Sequence, residues 1–229
     1  MLLVPTAVSS VDAAWFALAS IVQNGVRRAH IDLGDEVVIV GVGILGQLAC
    51  QYARLSGARS VIAIDPAPDR LATATRLAAT AGLAMTVEEA AGAVDQITRG
   101  HMADVVIDVT GSAAVFQPAL RLCRRLGRFV LLGSTGFPSR QCLTADVMSR
   151  GITITAAHDR HPPEQGNEYY FWSHTNMQRL FFDFLAQGRM QVAPLTSHLF
   201  PPEQAPKVYR DLLERRGDFL GVLFDWQCS

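Results

Sequence analysis

The residues from Asp35 to Asp65 restrict the fold of this chain more than any other stretch. An apolar, β-branched run at 37–40 leads into a glycine-rich turn, a helical pattern follows at 47–57, and a second apolar run at 60–64 ends on a carboxylate. The first run is apolar at every position, which is typical of a strand covered on both faces. Strand, glycine turn, helix, second strand and terminal acidic residue together form the βαβ fingerprint of a dinucleotide-binding unit.

Three glycines in the turn have separate physical roles. Gly41 permits the tight turn at the end of the strand, Gly43 lets a pyrophosphate approach the backbone, and Gly46 lets the helix pack closely on the strand. The free N–H groups and the positive dipole end of the helix then hold the phosphates. The predicted cofactor-binding residues of this turn are Gly41, Gly43, Ile44, Leu45 and Gly46.

Asp65 indicates which nucleotide the site prefers. It closes the second strand 19 residues after Gly46, where a carboxylate can accept hydrogen bonds from both hydroxyls of an adenosine ribose. A 2′-phosphate at that place would meet a like charge. The sequence therefore predicts NAD rather than NADP as the cofactor.

Charge and hydropathy disfavour several kinds of partner. The 229 residues carry 20 Lys and Arg against 21 Asp and Glu, a formal net charge of −1, and no run of like charge stands out. This balance favours neither nucleic acid nor an acidic membrane surface. No apolar stretch is long enough to span a bilayer, and the N-terminus has no secretory-signal pattern.

The four cysteines indicate the redox compartment. Cys50, Cys123, Cys142 and Cys228 are widely scattered and form no Cys-x-x-Cys pair. Free thiols in a reducing compartment explain this spacing better than a disulfide framework does. We accordingly expect a cytoplasmic protein.

Strands and helices alternate along the rest of the chain, which predicts an α/β fold with a Rossmann-type, doubly wound parallel sheet. A helix begins at a capping box formed by Ser9 and Asp12, runs to about His30 and precedes the first strand. A helix–strand segment follows the sheet. Further helices are expected at 68–81 (ended by Gly82), 88–98, 112–125, 144–148, 173–187 and 201–216, and further strands at 83–87, 103–109, 127–133, 151–157, 195–200 and 219–225.

Several motifs occur in an order that is informative as a whole. They are Gly-Asp-Glu-Val-Val-Ile-Val-Gly-Val-Gly-Ile-Leu-Gly at 34–46, Asp-Val-Val-Ile-Asp-Val-Thr-Gly at 104–111, Gly-Arg-Phe-Val-Leu-Leu-Gly at 127–133, and Leu-Gly-Val-Leu-Phe-Asp-Trp at 220–226. With the helix ahead of the first strand, and Arg70 five residues after Asp65, this order resembles the zinc-type medium-chain alcohol and polyol dehydrogenases. The resemblance covers nearly the whole chain, but only the C-terminal, cofactor-binding portion of such an enzyme.

This resemblance implies further site residues and partners. It implies that Arg70 lies beside the adenosine ribose, and that two loops, Thr110-Gly111 and Leu132-Gly133-Ser134, border the adenine and nicotinamide side. It implies dimerisation through the edge strand at 151–157. It also implies hydride transfer between NAD(H) and a small secondary alcohol or polyol, with zinc as the family's metal.

The zinc-binding part of the family pattern is absent from this sequence. Full-length members begin with a separate catalytic domain that supplies a Cys, a Gly-His-Glu motif and a further Cys, Asp or Glu around the zinc. Here the only Gly-His pair, Gly100-His101, is followed by Met102-Ala103. A catalytic zinc needs three protein ligands and an open fourth position, so we assign no metal ligand and no catalytic residue.

One local cluster has two interpretations. His158-Asp159-Arg160-His161, with Glu164, follows a strand that should end near the nicotinamide, and its histidines could bind a metal or transfer protons. The alternative, which we prefer, is a solvated polar loop held by Pro162 and Pro163.

The expected organisation has three parts: an N-terminal segment at 1–30, an NAD-binding Rossmann domain at 31–158, and a C-terminal segment at 159–229 that belongs to an otherwise missing catalytic domain. Three hypotheses remain open. The chain is the NAD-binding part of a zinc-type dehydrogenase whose zinc-bearing domain is elsewhere, or a non-catalytic NAD-binding or redox-sensing module, or a reductase without zinc. The third is weakest, because the sequence has no Tyr-x-x-x-Lys pair or other evident proton donor. On the first hypothesis the protein is a homodimer or binds a partner that carries the catalytic domain.

Overall fold

A computed structural model of the chain describes residues 2–228, in which helices and strands alternate. The strands of the described part are β1 (Glu36–Val40), β2 (Ser60–Ile64), β3 (Ala81–Leu83), β4 (Ala103–Asp108), β5 (Cys123–Leu131), β6 (Thr153–Ala156), β7 (Thr196–Phe200) and β8 (Gly221–Phe224). Its α-helices are α1 (Ser10–Ala13), α2 (Phe16–Arg28), α3 (Ile44–Leu55), α4 (Pro68–Leu77), α5 (Ala91–Ile97), α6 (Ala113–Leu120), α7 (Ala145–Arg150), α8 (His174–Ala186) and α9 (Ala205–Glu214). No helix among them is long and apolar enough to cross a membrane.

Six strands form one parallel sheet in the order β3-β2-β1-β4-β5-β6. The order reverses between β1 and β4, and ligands of open α/β sheets bind at this point, outside the carboxyl ends of the strands. The predicted Rossmann-type, doubly wound fold is confirmed. The remaining strands, β7 and β8, form a separate parallel ribbon.

Alternate residues of β1 enter two different cores, which is why every residue of this strand is buried. Val37 and Ile39 join the core under α2, α3 and α8, whereas Val38 and Val40 join the one under α5 and α6. A strand covered on both faces has to be apolar throughout, so the uninterrupted run in the sequence had a direct structural cause.

The segments before and after the sheet pack onto it rather than standing apart. Helix α2 contacts both α3 and α8, and the buried rings of Phe181 and Phe182 belong to the same core as Val37 and Ile39. The apolar stripe of α8 is therefore core. Large apolar side chains stay exposed elsewhere, at Tyr169 and Phe171 before α8 and at Leu213 on α9. The division of the chain at residues 30 and 158 stays a prediction. One hydrophobic core runs across both of these boundaries.

The N-terminal helix is divided, contrary to the prediction. The capping box is present, with Asp12 N–H donating to Ser9 Oγ at 3.0 Å, but α1 ends at Ala13 and α2 begins at Phe16. Trp15 lies at the break, is 2% exposed and donates its indole N–H to Thr196 Oγ1 at 3.1 Å. The helix is thus interrupted at a residue that makes a long-range hydrogen bond, which local periodicity does not reveal.

Other boundaries also differ from the expected ones, and two helices end early because strand pairing overrides helical propensity. Helix α4 ends at Leu77 instead of 81, and Gly82 lies inside β3, where it pairs with Ala63. The expected strand at 83–87 is therefore displaced to 81–83. Helix α6 ends at Leu120 instead of Arg125, because Cys123 pairs with Ala103 at the start of β5.

Candidate nucleotide-binding site

The three glycines between β1 and α3 differ in the space that surrounds them. Gly41 has a φ of +86°, and a Cβ there would lie 2.8 Å from Thr110 Cγ2. A Cβ on Gly46 would lie 2.0 Å from the carbonyl oxygen of Gly41. A Cβ on Gly43 would meet no atom within 4 Å. Two glycines are therefore required by the protein's own packing, whereas Gly43 faces open space that a ligand can fill.

Helix α3 begins at this open space. Its N-cap is Gly43, which has no side chain to satisfy the free N–H groups of the first turn. Behind the turn, buried Gln47 donates its amide to the carbonyl oxygens of Val42 at 3.0 Å and Arg70 at 2.7 Å. Gln47 thus ties the turn to the first turn of α4, a role that its position inside the helical pattern did not reveal.

Asp65 lies at the end of β2, as predicted, and is 5% exposed. Its Oδ2 accepts the N–H of Val42 at 2.9 Å, and its Oδ1 accepts the N–H of Ala67 at 2.9 Å. A carboxylate has about four acceptor positions, so both oxygens retain capacity for ribose hydroxyls. Because it accepts the N–H of Val42, Asp65 also positions the glycine turn.

The two predicted loops meet across the carboxyl ends of β4 and β5. A Cβ on Gly133 would lie 2.4 Å from Gly111 N, and one on Gly111 would lie 2.7 Å from Ser134 O. The backbones are thus in direct contact. With Thr110, Leu132 and Leu45, these residues line a cleft of about 550 Å³. All the predicted loop residues are brought together at one side of the switch point.

Asp108 lies beneath these loops and was not identified from the sequence. Its Oδ1 accepts from Thr110 N at 2.9 Å and Thr110 Oγ1 at 2.7 Å, while its Oδ2 is buried without a hydrogen-bond partner in the described structure. Burial raises the pKa of the Asp108 carboxyl above its ordinary value, although the Thr110 bonds oppose this. The available signal was an acidic residue near the carboxyl end of the apolar run 103–109.

Only part of the histidine cluster lines this cleft, although the N–H of His158 donates to His161 Nδ1 at 3.3 Å. His158 and Asp159 line the 550 Å³ cleft, and His158 Nδ1 lies 2.7 Å from Asp159 Oδ1. Buried Asn24 of α2 holds this loop by donating to His158 O at 2.9 Å. His161 and Glu164 are exposed and do not line the cleft. Within residues 2–228, no three His, Cys, Asp or Glu side chains form a group that could hold a metal ion, so the described residues do not fit a catalytic zinc.

Two arginines border the glycine turn. Arg70 lines a cleft of about 290 Å³ with Gly43 and Ile44, and its place beside the ribose stays a prediction. Arg216 lines the same cleft and also a second one, of about 270 Å³, above the turn. The helix expected at 201–216 ends at Glu214, so Arg216 follows α9 and lies beside the turn.

Comparison with known proteins gives consistent findings. The family described as zinc-binding dehydrogenase matches residues 45–166. L-threonine 3-dehydrogenase of Bacillus licheniformis is 29% identical over 184 residues, which cover 80% of this chain and 49% of the relative. Alcohol dehydrogenase TADH from Thermus sp. ATN1 superimposes with a TM-score of 0.78 at 27% identity, over 96% of this chain and 59% of that one.

A further solved structure is similar and carries a nucleotide. It is a Sinorhizobium meliloti 1021 chain assigned to the zinc-binding dehydrogenases and bound to NADP, with a TM-score of 0.75 and 26% identity over 90% of this chain and 57% of that one. The present chain spans about half the length of the curated relatives that it matches first.

Proposed function

Because the chain belongs to the zinc-binding dehydrogenase family and corresponds to its cofactor-binding part, we propose that it binds NAD(H) for hydride transfer to or from a secondary alcohol or polyol. One observation carries this proposal. The turn between β1 and α3 leaves open space at Gly43 while the other two glycines are closed by packing. A pyrophosphate is the group that such a turn, at the N-terminus of a helix, accommodates.

The proposed contacts follow the order of the clefts. Asp65 at the end of β2 holds the adenosine ribose, with Arg70 beside it in the cleft that also borders Gly43. The Gly41–Gly46 turn holds the pyrophosphate, and the nicotinamide lies in the cleft lined by Thr110-Gly111 and Leu132-Gly133-Ser134. The bound cofactor supplies the hydride carrier, and this chain's residues bind and orient it. Leu45, Leu132 and Ala157 form an apolar wall in this last cleft, which favours exclusion of water from the ring.

NAD is proposed in preference to NADP because Asp65 would oppose a 2′-phosphate. The NADP-bound relative shows why this needs a direct test. The purified chain is titrated with NADH and, separately, with NADPH, following nicotinamide fluorescence. We expect saturable NADH binding, weaker NADPH binding, and at least a tenfold loss of NADH affinity in Asp65→Ala, corresponding to about 1.4 kcal/mol.

Asp69→Ala is the matched control, since this carboxylate is exposed on α4, whereas Asp65 is buried and accepts the N–H of Val42 in the glycine turn. It should bind NADH as the wild-type chain does. A folded wild-type chain that binds neither nucleotide would contradict the proposed function.

A second candidate is a non-catalytic NAD-binding or redox-sensing module. It is favoured by the fact that the clefts around the glycine turn are lined by this chain's own residues. The coding DNA upstream of Met1 separates the two candidates. A neighbouring stretch that encodes Gly-His-Glu and its cysteine supports the dehydrogenase, and its absence favours the module.

We further propose that β6 pairs with a second copy of the chain. Strand β6 is the outer strand of the six-stranded sheet and, within the described residues, pairs only with β5. Its unpaired edge can add another strand. Light scattering should give the mass of a dimer, and a monomer at all concentrations would contradict this.

We also propose a cytoplasmic location, which is supported by the free thiols of Cys50, Cys123 and Cys142. The side chain of Cys228 lies outside the described part.

A further inference from the structure

Four consecutive aromatic residues, from Tyr169 to Trp172, lie on the surface between β6 and α8. Tyr169, Tyr170 and Phe171 are exposed and Trp172 is half-buried, and none of the four belongs to either hydrophobic core. Exposed apolar side chains scattered singly are ordinary, whereas a contiguous patch of large rings marks a surface that binds something. This run therefore calls for a role other than folding.

The backbone that carries these rings is held in one conformation. Asn167 Oδ1 accepts the N–H of Tyr169 at 2.9 Å and the N–H of Tyr170 at 2.8 Å. Asn176 of α8 donates its side-chain amide to the carbonyl oxygen of Phe171 at 2.7 Å. The rings are thus exposed on a hydrogen-bonded turn that is tied to a helix, so their positions are set by the fold.

The rings form one wall of a cleft of about 480 Å³, and the end of α2 forms the other. Arg27, Arg28 and His30 line the cleft from the α2 side. Clefts of this volume, with aromatic walls and a few polar groups, are typical of sites for small organic molecules. This cleft shares no lining residue with the three clefts around the glycine turn, so it is separate from the nucleotide site.

Arg27 is fixed in the cleft by two contacts. Its guanidinium carbon lies 3.2 Å from the centroid of the Trp172 ring, and its Nε–H donates to Gln23 Oε1 at 3.2 Å. Gln23 is itself held, because its amide donates to the carbonyl oxygen of Met177 at 3.1 Å. Within the described residues, the two terminal amino groups of Arg27 have no hydrogen-bond partner. A guanidinium oriented in this way presents paired N–H donors that match a carboxylate or a phosphate.

The positive charge of the cleft is not compensated by the protein. No described Asp or Glu lines it. Asp32 and Asp35, the next acidic residues after Arg28, pair with Arg128 instead, and Glu168 is exposed outside the cleft. Partial burial lowers the pKa of the Arg27 guanidinium to about 10, so it stays charged at neutral pH. A charge of this kind is suited to an anion that comes from solution.

We propose that this cleft binds a planar aromatic anion, that is, a ring system that carries a carboxylate or a phosphate. The ring packs against the exposed side chains of Tyr170 and Phe171, and the anionic group accepts hydrogen bonds from Arg27. The inference does not depend on the proposed function, since the two sites share no lining residue.

The test uses three probes of one shape, naphthoate, naphthyl phosphate and the neutral naphthamide, with dissociation constants measured by calorimetry. We expect saturable binding of the anions at a single site, and at least tenfold weaker binding of the amide, because it lacks the charge that Arg27 recognises. Binding of one anion alone also supports the inference and identifies the group that the cleft accepts. Tyr170→Ala should weaken the anions and the amide by the same factor, because it removes a contact with the ring.

Arg27→Gln should weaken the anions at least tenfold, to about the affinity of the amide. Arg189→Gln is the matched control, since Arg189 also lies over an aromatic ring, that of Phe184 at 4.8 Å, but does not line this cleft. It should bind all three probes as the wild-type chain does. Arg27→Lys keeps the charge but loses the planar fork, so its affinity for the anions should be intermediate.

Other results would overturn the inference. A folded wild-type chain that binds neither anion, or that binds naphthamide as tightly as naphthoate, excludes an anion site of this kind. Equal losses in Arg27→Gln and Arg189→Gln would mean that the probes respond to positive charge in general and not to this cleft. If Arg27→Gln does not fold, Arg27→Lys decides, because wild-type affinity for the anions in that variant excludes a directed contact by the guanidinium.

Discussion

Gly43 and Gly46 are three residues apart in one turn, and alanine at each position should separate ligand binding from folding. Gly43 has φ −64° and ψ −168°, a conformation that alanine adopts freely, and its Cβ would meet nothing within 4 Å. Alanine is a poorer N-cap than glycine, but it also restricts the unfolded chain, and these effects of roughly 0.5–1 kcal/mol oppose each other. We expect Gly43→Ala to keep its unfolding free energy within about 1 kcal/mol of wild type.

Gly46→Ala places its methyl group 2.0 Å from the backbone oxygen of Gly41. A backbone atom cannot move aside by a change of rotamer, so β1 and α3 must separate locally. Overpacking of this kind costs about 1–3 kcal/mol. For a chain of this size, the melting temperature should fall by roughly 2–12 °C.

Nucleotide affinity should fall in Gly43→Ala, although the stability of this variant should hardly change. The methyl group of Gly43→Ala occupies the space proposed for the pyrophosphate and displaces it from the N–H groups of α3. Loss of one charge-assisted hydrogen bond, about 1.5–3 kcal/mol, corresponds to roughly a 10- to 150-fold weaker NADH affinity.

Thermal melts and NADH titrations of both variants and the wild type provide the assay. Two results would refute the reasoning. One is wild-type NADH affinity in Gly43→Ala, which would mean that the phosphates do not approach this residue. The other is a loss of stability in Gly43→Ala equal to that in Gly46→Ala, which would mean that the space is not open.

Two other substitutions test the packing beneath the site. Burial raises the pKa of Asp108. The contribution of Asp108 to the free energy of unfolding is therefore present below its unfolded pKa of about 3.9 and is lost as pH rises through the folded value. Urea unfolding of Asp108→Asn should show a smaller fall in stability over that pH range, and parallel pH profiles for the variant and the wild type would contradict this. Trp15→Ala removes a side chain that is 2% exposed and should cost about 3–5 kcal/mol, or roughly 6–20 °C in melting temperature. Tyr169→Ala, at a side chain that is 89% exposed, is the control and should melt as the wild type does.

The central βαβ unit was predictable because its determinants are local. A strand buried on both faces must be apolar throughout, and β1 is. A tight turn between strand and helix must have glycine where φ is positive, and Gly41 has φ +86°. The position of Asp65 at the end of β2 follows from the same short-range spacing. Strand and helix alternation then allowed the parallel, doubly wound sheet to be inferred, since βαβ connections have few alternatives.

Other features depended on residues far apart in the sequence. The division of the N-terminal helix accompanies the contact of Trp15 with Thr196, and the short β3 depends on pairing with β2. No local pattern contains such partners, so helix ends were misplaced where strand pairing competed with helical propensity.

The amino-acid sequence by itself determined the sheet, the glycine turn and the place of Asp65 at the end of β2, because each depends on the conformational limits of a few neighbouring residues. Only the tertiary structure decided that Asp108 lies beneath Thr110 and that Arg216 lines the cleft above the turn. These two roles arise from long-range packing, which sets the surroundings of a charge. A charged residue in a sequence looks the same whether its side chain faces solvent, a core or a ligand.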